Sequence, residues 1–113
     1  MEIKGLLEFS KREQLYDWLV AHHDTAKECW VTSSRSKIVR NDAIPYVEVV
    51  ETALCFGWID STCKRLPDGR LAQRLSPRRQ GSHWTDLNKQ RCIRLMEAGL
   101  MTEAGRKAWE EGG

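Results

Sequence analysis

A chain of 113 residues, 41% hydrophobic and 30% charged, has the composition of one globular domain that buries roughly two thirds of its unfolded surface, which excludes an intrinsically disordered polymer. No apolar run approaches the roughly 18 residues of a membrane span, and Met1 to Phe9 has neither the basic start nor the long apolar stretch of an export signal, so a cytoplasmic protein without membrane insertion is expected. The net charge of +2 is unevenly spread: residues 64–94 hold nine basic against two acidic side chains (+7), residues 1–63 seven against ten (−3), and residues 95–113 two against four (−2).

Ser10-Lys11-Arg12-Glu13 has the form of a capping box, and Leu15, Trp18, Leu19 and His22 follow at helical spacing, predicting a first helix over 11–22. The pair His22-His23 at its end suits hydrogen bonding to terminal carbonyls better than a ligand role. Cys29 to Thr32 is a short β-favouring run, and Ser33 to Asp42 is a polar, turn-rich stretch expected to be a mobile connection. Pro45 fits the first turn of a second helix, which Tyr46, Val49, Val50, Ala53, Leu54 and Phe56 make apolar around most of its circumference. Gly57 can take the left-handed conformation that stops a helix, after which Trp58 and Ile59 read as a strand.

Ile59–Leu66 and Leu71–Ser76 read as a hairpin around Pro67-Asp68-Gly69-Arg70, with Asp-Gly supplying the positive φ angles of a tight turn. Pro77 ends the second strand, and Arg78 to His83 is a loop. Thr85 then caps a third helix starting near Asp86, with Leu87, Cys92, Leu95 and Met96 on its buried face and Gly99 at its stop. Thr102 caps a short fourth helix containing Ala104, Ala108 and Trp109. The expected fold is a single α+β domain over residues 1–113, ordered α-β-α-β-β-α-α, with a small antiparallel sheet covered by helices.

The four cysteines, at 29, 55, 63 and 92, have no Cys-x2-4-Cys spacing, and His22, His23 and His83 are not placed as a zinc motif would place them, so reduced, metal-free thiols and no cofactor are expected. Cys55 and Cys92 lie in apolar contexts. Cys63 is flanked by Thr62, Lys64 and Arg65, cations that could favour its thiolate, against the plainer reading of a strand residue. Glycine-rich phosphate loops, paired-carboxylate spacings and nucleophile elbows are absent, and no catalytic residue is assigned.

What remains is a nonlocal cluster. A hairpin returns the chain to its start, so Trp58 and Asp60 should neighbour Ser76, Arg78 and Arg79, with Ser82, Trp84 and Asn88 following. Arg offers a planar fork for a carboxylate or phosphate, Trp a stacking face, and Asn further donors near a helix start. Three readings are open: an Asp60–Arg78 ion pair with both tryptophans in the core, a pocket for a small anion, or an enzyme using Asp60 as acid/base. An adjacent Arg disfavours the last, because it stabilises the charged carboxylate. The basic segment 64–94, with Trp84 and the helical Lys89, Arg91 and Arg94, also admits nucleic-acid binding, ranked below a small anionic ligand or a protein partner.

The block ALCFGWID (Ala53 to Asp60), SPRR (Ser76 to Arg79), Ser82, Trp84 through Asn88, and GLM (Gly99 to Met101) occur in an order that resembles the YdeI/OmpD-associated family, also labelled bacteriocin-protection. The resemblance runs from about Trp18 to the C-terminus. It implies a small α+β protein with a role in tolerance of cationic peptides, bacteriocins or stress, and no established reaction, cofactor or catalytic residue. It also implies a further basic helical segment, which this sequence lacks after Gly113.

Overall fold

The first helix starts where a glutamine can reach back to the chain before it. In the computed structural model, which describes residues 3–35, 41–78 and 84–112, helix α1 spans Arg12–His22. Gln14 Oε1 accepts from the backbone N–H groups of Ser10 (2.9 Å) and Lys11 (3.0 Å). Only the return half of the expected capping box forms, and one residue later: with Lys11 at the N-cap, the third helical position falls on Gln14 instead of Glu13, and the lysine side chain offers no acceptor for the other half. Leu15 and Leu19, one turn apart, are buried, and His23 Nδ1 lies 2.8 Å from the Leu19 carbonyl oxygen.

Strand β1 (Cys29–Ser34) is buried at five of its six positions. It is followed by β2 (Ile44–Pro45), a two-residue strand that pairs parallel with it, Ser33 opposite Ile44 and Ser34 opposite Pro45. Two residues carry no periodicity, so nothing in the sequence marks β2. Leu7 makes a further parallel bridge to Val31, its N–H donating to Trp30 O (2.8 Å) while its carbonyl accepts from Thr32 N (3.1 Å). Much of the expected connection from Ser33 to Asp42, residues 36–40, lies outside the described residues.

Helix α2 (Tyr46–Leu54) buries Val49, Val50, Ala53 and Leu54. Pro45 stands at its N-cap, one position before the first turn where it was expected, because it also belongs to β2. The helix unwinds through Phe56 N to Ala53 O and Gly57 N to Leu54 O, both 3.1 Å. Gly57 has φ +74°, so the change from helix to strand occurs where the sequence put it.

Strands β3 (Trp58–Arg65) and β4 (Leu71–Pro77) form the hairpin. Its turn differs from the expected one. Leu66 N bonds Arg70 O (2.7 Å), which leaves a three-residue loop, and only Gly69, at φ +91°, takes positive φ there. Asp68 acts through its side chain, accepting from Arg70 N (3.0 Å) and Arg70 Nε (2.8 Å). The sheet runs β2-β1-β4-β3, antiparallel except for the β1–β2 pair.

Helix α3 (Asp86–Glu97) is capped by Thr85, whose Oγ1 accepts from Asn88 N (3.1 Å). Cys92 and Leu95 are buried, but Leu87, expected beside them, is 55% exposed. Five residues at about 100° each set Leu87 roughly 140° away from Cys92, off the buried stripe. Helix α4 (Glu103–Gly112) starts at Thr102, whose Oγ1 accepts from Gly105 N (3.2 Å) and donates to Cys55 O. The architecture is the α+β domain expected, with β2 added. Among the described residues no helix is long and apolar enough to cross a membrane.

Candidate functional site

The hairpin register brings the two halves of the predicted cluster together: Trp58 faces Pro77, Ile59 faces Ser76, and Asp60 faces Leu75, before a bulge between Asp60 and Cys63 shifts the pairing by one. Arg78 extends the ladder by donating its backbone N–H to Gly57 O (2.9 Å). Arg79 and Ser82 lie outside the described residues.

The side chains divide into two groups. At the exit of β4 the Arg78 guanidinium lies over the Trp84 ring, 3.8 Å from its centroid, and Trp84 meets Trp109 edge-on at 5.6 Å. Burial is the largest influence on Arg78 and lowers its pKa from the usual arginine value, while Cys92 and then Asp60 act to raise it. At the start of α2, Tyr46 Oη donates to Asp60 Oδ2 at 2.9 Å, and the Arg35 guanidinium lies over the Tyr46 ring, 3.9 Å from its centroid.

The expected direct Asp60–Arg78 ion pair is corrected by this geometry. The hydrogen bond that Asp60 receives comes from Tyr46, and Arg78 senses the carboxylate only as a nearby charge. A cross-strand argument reaches the neighbour on the sheet; it does not see a helix laid across that sheet. Trp58 is 1% exposed and packs edge-on against Trp18 at 6.3 Å, which makes it a core residue and not a stacking face for a ligand. Ser76 is half-buried on β4. Asn88 is occupied within α3, its Oδ1 accepting from Arg91 Nη1 at 3.0 Å.

Tyr46, Arg35, Gln73 and Ser33 are the residues that sequence reasoning missed. Tyr46 was read as one more apolar position of α2. Gln73 carried a signal: it is the polar member of the series Leu71, Gln73, Leu75 that faces the core. It is 1% exposed, and neither its Oε1 nor its Nε2 has a hydrogen-bond partner among the described residues; Ser33 Oγ, fully buried, has none there either.

Burial is also the first influence on the Tyr46 hydroxyl and raises its pKa; the bond to Arg35 lowers it and the bond to Asp60 raises it again. The Cys63 thiol is pushed up by burial, pulled down by Arg35 and pushed up by Asp60. The cation that acts on Cys63 is therefore Arg35, and not the flanking Lys64 and Arg65 that the sequence indicated. Cys29 and Cys55 are pushed up to about 12 and Cys92 to about 11, chiefly by burial. All four cysteines are free thiols, with Cys63 alone exposed.

Among the described residues, three of the nine cations of the basic segment pair with acidic residues of the chain before it. Arg70 meets Glu8 (3.0 Å) and Asp42 (3.9 Å), Arg74 meets Glu28 (2.6 Å), and Arg94 meets Glu51 (3.3 Å). Among the described residues, no group of three or more His, Cys, Asp and Glu side chains is placed to hold a metal ion. No curated protein and no solved structure matches this chain. A family model does match, over residues 7–108 and so across every element from the Leu7 bridge into α4: the chain belongs to the family described as Domain of unknown function (DUF8412).

Proposed function

We propose that the chain is a cytoplasmic, non-catalytic binding module for a small anion, taken up where Arg78 leaves β4. The observation that carries the reading is the Arg78 guanidinium held over the Trp84 ring, its central carbon 3.8 Å from the ring centroid. The cation–π contact holds the guanidinium in place, and its planar fork of donors suits bidentate recognition of a carboxylate or phosphate. Half-burial strengthens such a contact, because less water competes for it. Ser76, two residues before Arg78, is a further hydroxyl at the same end of the strand. The resemblance to the YdeI/OmpD-associated family extends the proposal to a role in antimicrobial or stress tolerance.

The enzyme alternative has less support. Asp60 accepts from a tyrosine whose proton is held tightly, and the pKa of the nearby Cys63 thiol is raised, so neither a free base nor a ready nucleophile stands at the centre of the cluster.

The test is a thermal-shift panel of inorganic phosphate, small carboxylates and sugar acids on the wild type, Arg78→Ala and Arg78→Lys. A ligand at 100 times its Kd should stabilise the wild type by about 2.7 kcal/mol. Arg78→Ala should abolish that effect and Arg78→Lys, which keeps the charge and loses the fork, should weaken it. If no compound shifts the wild-type melt, the small-anion reading falls and a protein partner becomes the working reading.

A further inference from the structure

Where α1, α2, α3 and the turn after α3 meet, the helices leave a cavity of about 230 Å³ whose lining includes neither Arg78 nor Trp84. Its floor is apolar in composition and in bonding. Cys55 and Leu95 are buried there, and the Cys55 thiol, pushed up to about 12, keeps its proton. The Thr52 hydroxyl is taken by Glu48 O at 2.7 Å and the Tyr16 hydroxyl by Leu100 O at 3.0 Å, so neither is left for a polar ligand. The Tyr16 bond also ties α1 to the chain beyond Gly99, which holds two walls of the cavity together.

Charge is confined to the rim, and there it does not balance. Arg12 meets Glu48 at 3.9 Å, and Glu51 meets Arg94 at 3.3 Å. Glu13 and Asp17, the other two charged residues of the lining, are exposed and have no ion-pair partner among the described residues. They stand one turn apart on the same face of α1. Glu13, in the first turn, suits the positive end of the helix dipole. Asp17 lies beyond that turn, and like charges at this spacing cost helix stability. Helix formation therefore does not account for Asp17, whereas a cation at the mouth of the cavity would gain from both carboxylates at once. An anion would instead meet three acidic side chains.

We propose that this cavity binds a small primary amine with a compact apolar body, of the size and polarity of phenethylamine. An apolar cavity of about 150 Å³ takes one benzene molecule, so 230 Å³ admits a ring with a two-carbon arm. The ring rests on Cys55, Leu95 and Leu100, and the ammonium group, with three donors, meets the carboxylates of Glu13 and Asp17 at the rim. A free small molecule is the occupant, because Leu100 is the one large apolar side chain among the exposed lining residues, too little for the apolar centre of a protein interface. A ring without the ammonium leaves the two carboxylates unmet, and a diamine without the ring leaves the floor wet, so the affinity depends on both halves of the ligand.

The experiment is an NMR titration of the isotope-labelled protein with phenethylamine, 2-phenylethanol, phenylacetate, 1,4-diaminobutane and Nα-acetyl-lysine amide, the last standing for the side chain that a protein partner would offer. Phenethylamine should shift the amides around Arg12 to Asp17, Glu51 to Cys55 and Leu95 to Leu100. It should bind at least about tenfold more tightly than its uncharged counterpart 2-phenylethanol, and than the two amines that lack the ring, with phenylacetate weakest of all. Glu13→Gln combined with Asp17→Asn, both at exposed positions, should fold as the wild type does and bind phenethylamine at least about tenfold more weakly, with 2-phenylethanol unchanged. Leu100→Trp, which fills the cavity from its exposed wall, should weaken both. Arg78→Ala should bind phenethylamine as the wild type does, which separates this cavity from the anion site at the end of β4. The proposal is overturned if 2-phenylethanol or acetyl-lysine amide binds as tightly as phenethylamine, if the double variant keeps the preference for the amine, or if the shifted amides lie away from the cavity.

Discussion

Asp60 is flanked by Trp58 and Ile59, and a carboxylate in that setting needs a partner. That much was legible in the sequence, as was the neighbourhood of Asp60 and residues 75–77. The partner itself was not, because Tyr46 reaches Asp60 from a helix fourteen residues earlier that crosses the sheet, a contact that no strand periodicity encodes. The two candidate couplings are separable by mutant cycles. Tyr46→Phe with Asp60→Ala should show a coupling of about 1 kcal/mol, the modest value of a half-exposed hydrogen bond to a charged acceptor. Asp60→Ala with Arg78→Ala should come close to additive, with a coupling under about 0.5 kcal/mol, since the two act on each other only at a distance. Urea denaturation of the six proteins decides it, and the reverse order of couplings would restore the ion pair.

Helix ends and turns were the most readable elements, because single residues mark them: Gly57, Gly69, Gly99 and Thr102 each act where expected. Parallel pairing of Ile44–Pro45 left no such mark. The glycines also allow backbone strain to be distinguished from close packing. A Cβ at Gly57 would meet Ala108 Cβ at 2.9 Å and Ala104 O at 3.1 Å, and one at Gly105 would run into Cys55 O and Met101 Sδ, so α4 lies against the C-terminal end of α2 with no room for a methyl group. Gly99 shares the positive φ of Gly57, +74°, but has nothing within 4 Å. Gly99→Ala should therefore cost about 1 kcal/mol from backbone strain alone. Gly105→Ala, helical and unstrained, should cost about 2 kcal/mol from overpacking. Gly57→Ala, which adds a close contact to the same positive φ, should cost more than Gly99→Ala. Equal losses at Gly99 and Gly105 with no added loss at Gly57 would contradict this account of α4.

At the scale of the molecule, two expectations follow from charge. Cys29, Cys55 and Cys92 keep their protons in the folded state up to about 12, 12 and 11, against an ordinary value of 9.0. Above about pH 9 the unfolded chain loses those protons while the folded chain retains them. Stability should thus be unaffected by these groups below pH 9 and fall as pH rises from there towards 11 and 12, by at most about 1.4 kcal/mol per thiol per pH unit. Urea midpoints between pH 8 and 11 measure it, and Cys92→Ala should flatten the slope by about one third. The second expectation concerns nucleic acids. The +7 of residues 64–94 was visible in the sequence, but the pairing of Arg70, Arg74 and Arg94 with Glu8, Asp42, Glu28 and Glu51 was not, because each partner lies at least 28 residues from its arginine. DNA and RNA should bind weakly, without sequence preference, and with a shallow dependence on salt; nanomolar, site-specific binding at physiological salt would reverse that ranking.

Thr102, which caps α4, also donates a hydrogen bond to the carbonyl of Cys55, near the end of α2, and its backbone N–H donates to the same oxygen at 3.0 Å. During synthesis, Cys55 leaves the ribosome 47 residues before its partner does. The hairpin and most of the sheet can assemble in that interval, while the carbonyl beside the helix-to-strand junction still faces water or a chaperone. Completion of α4 is then the step that closes the junction, and a chain stalled between Pro77 and Thr102 would present it to a protease that the finished protein excludes.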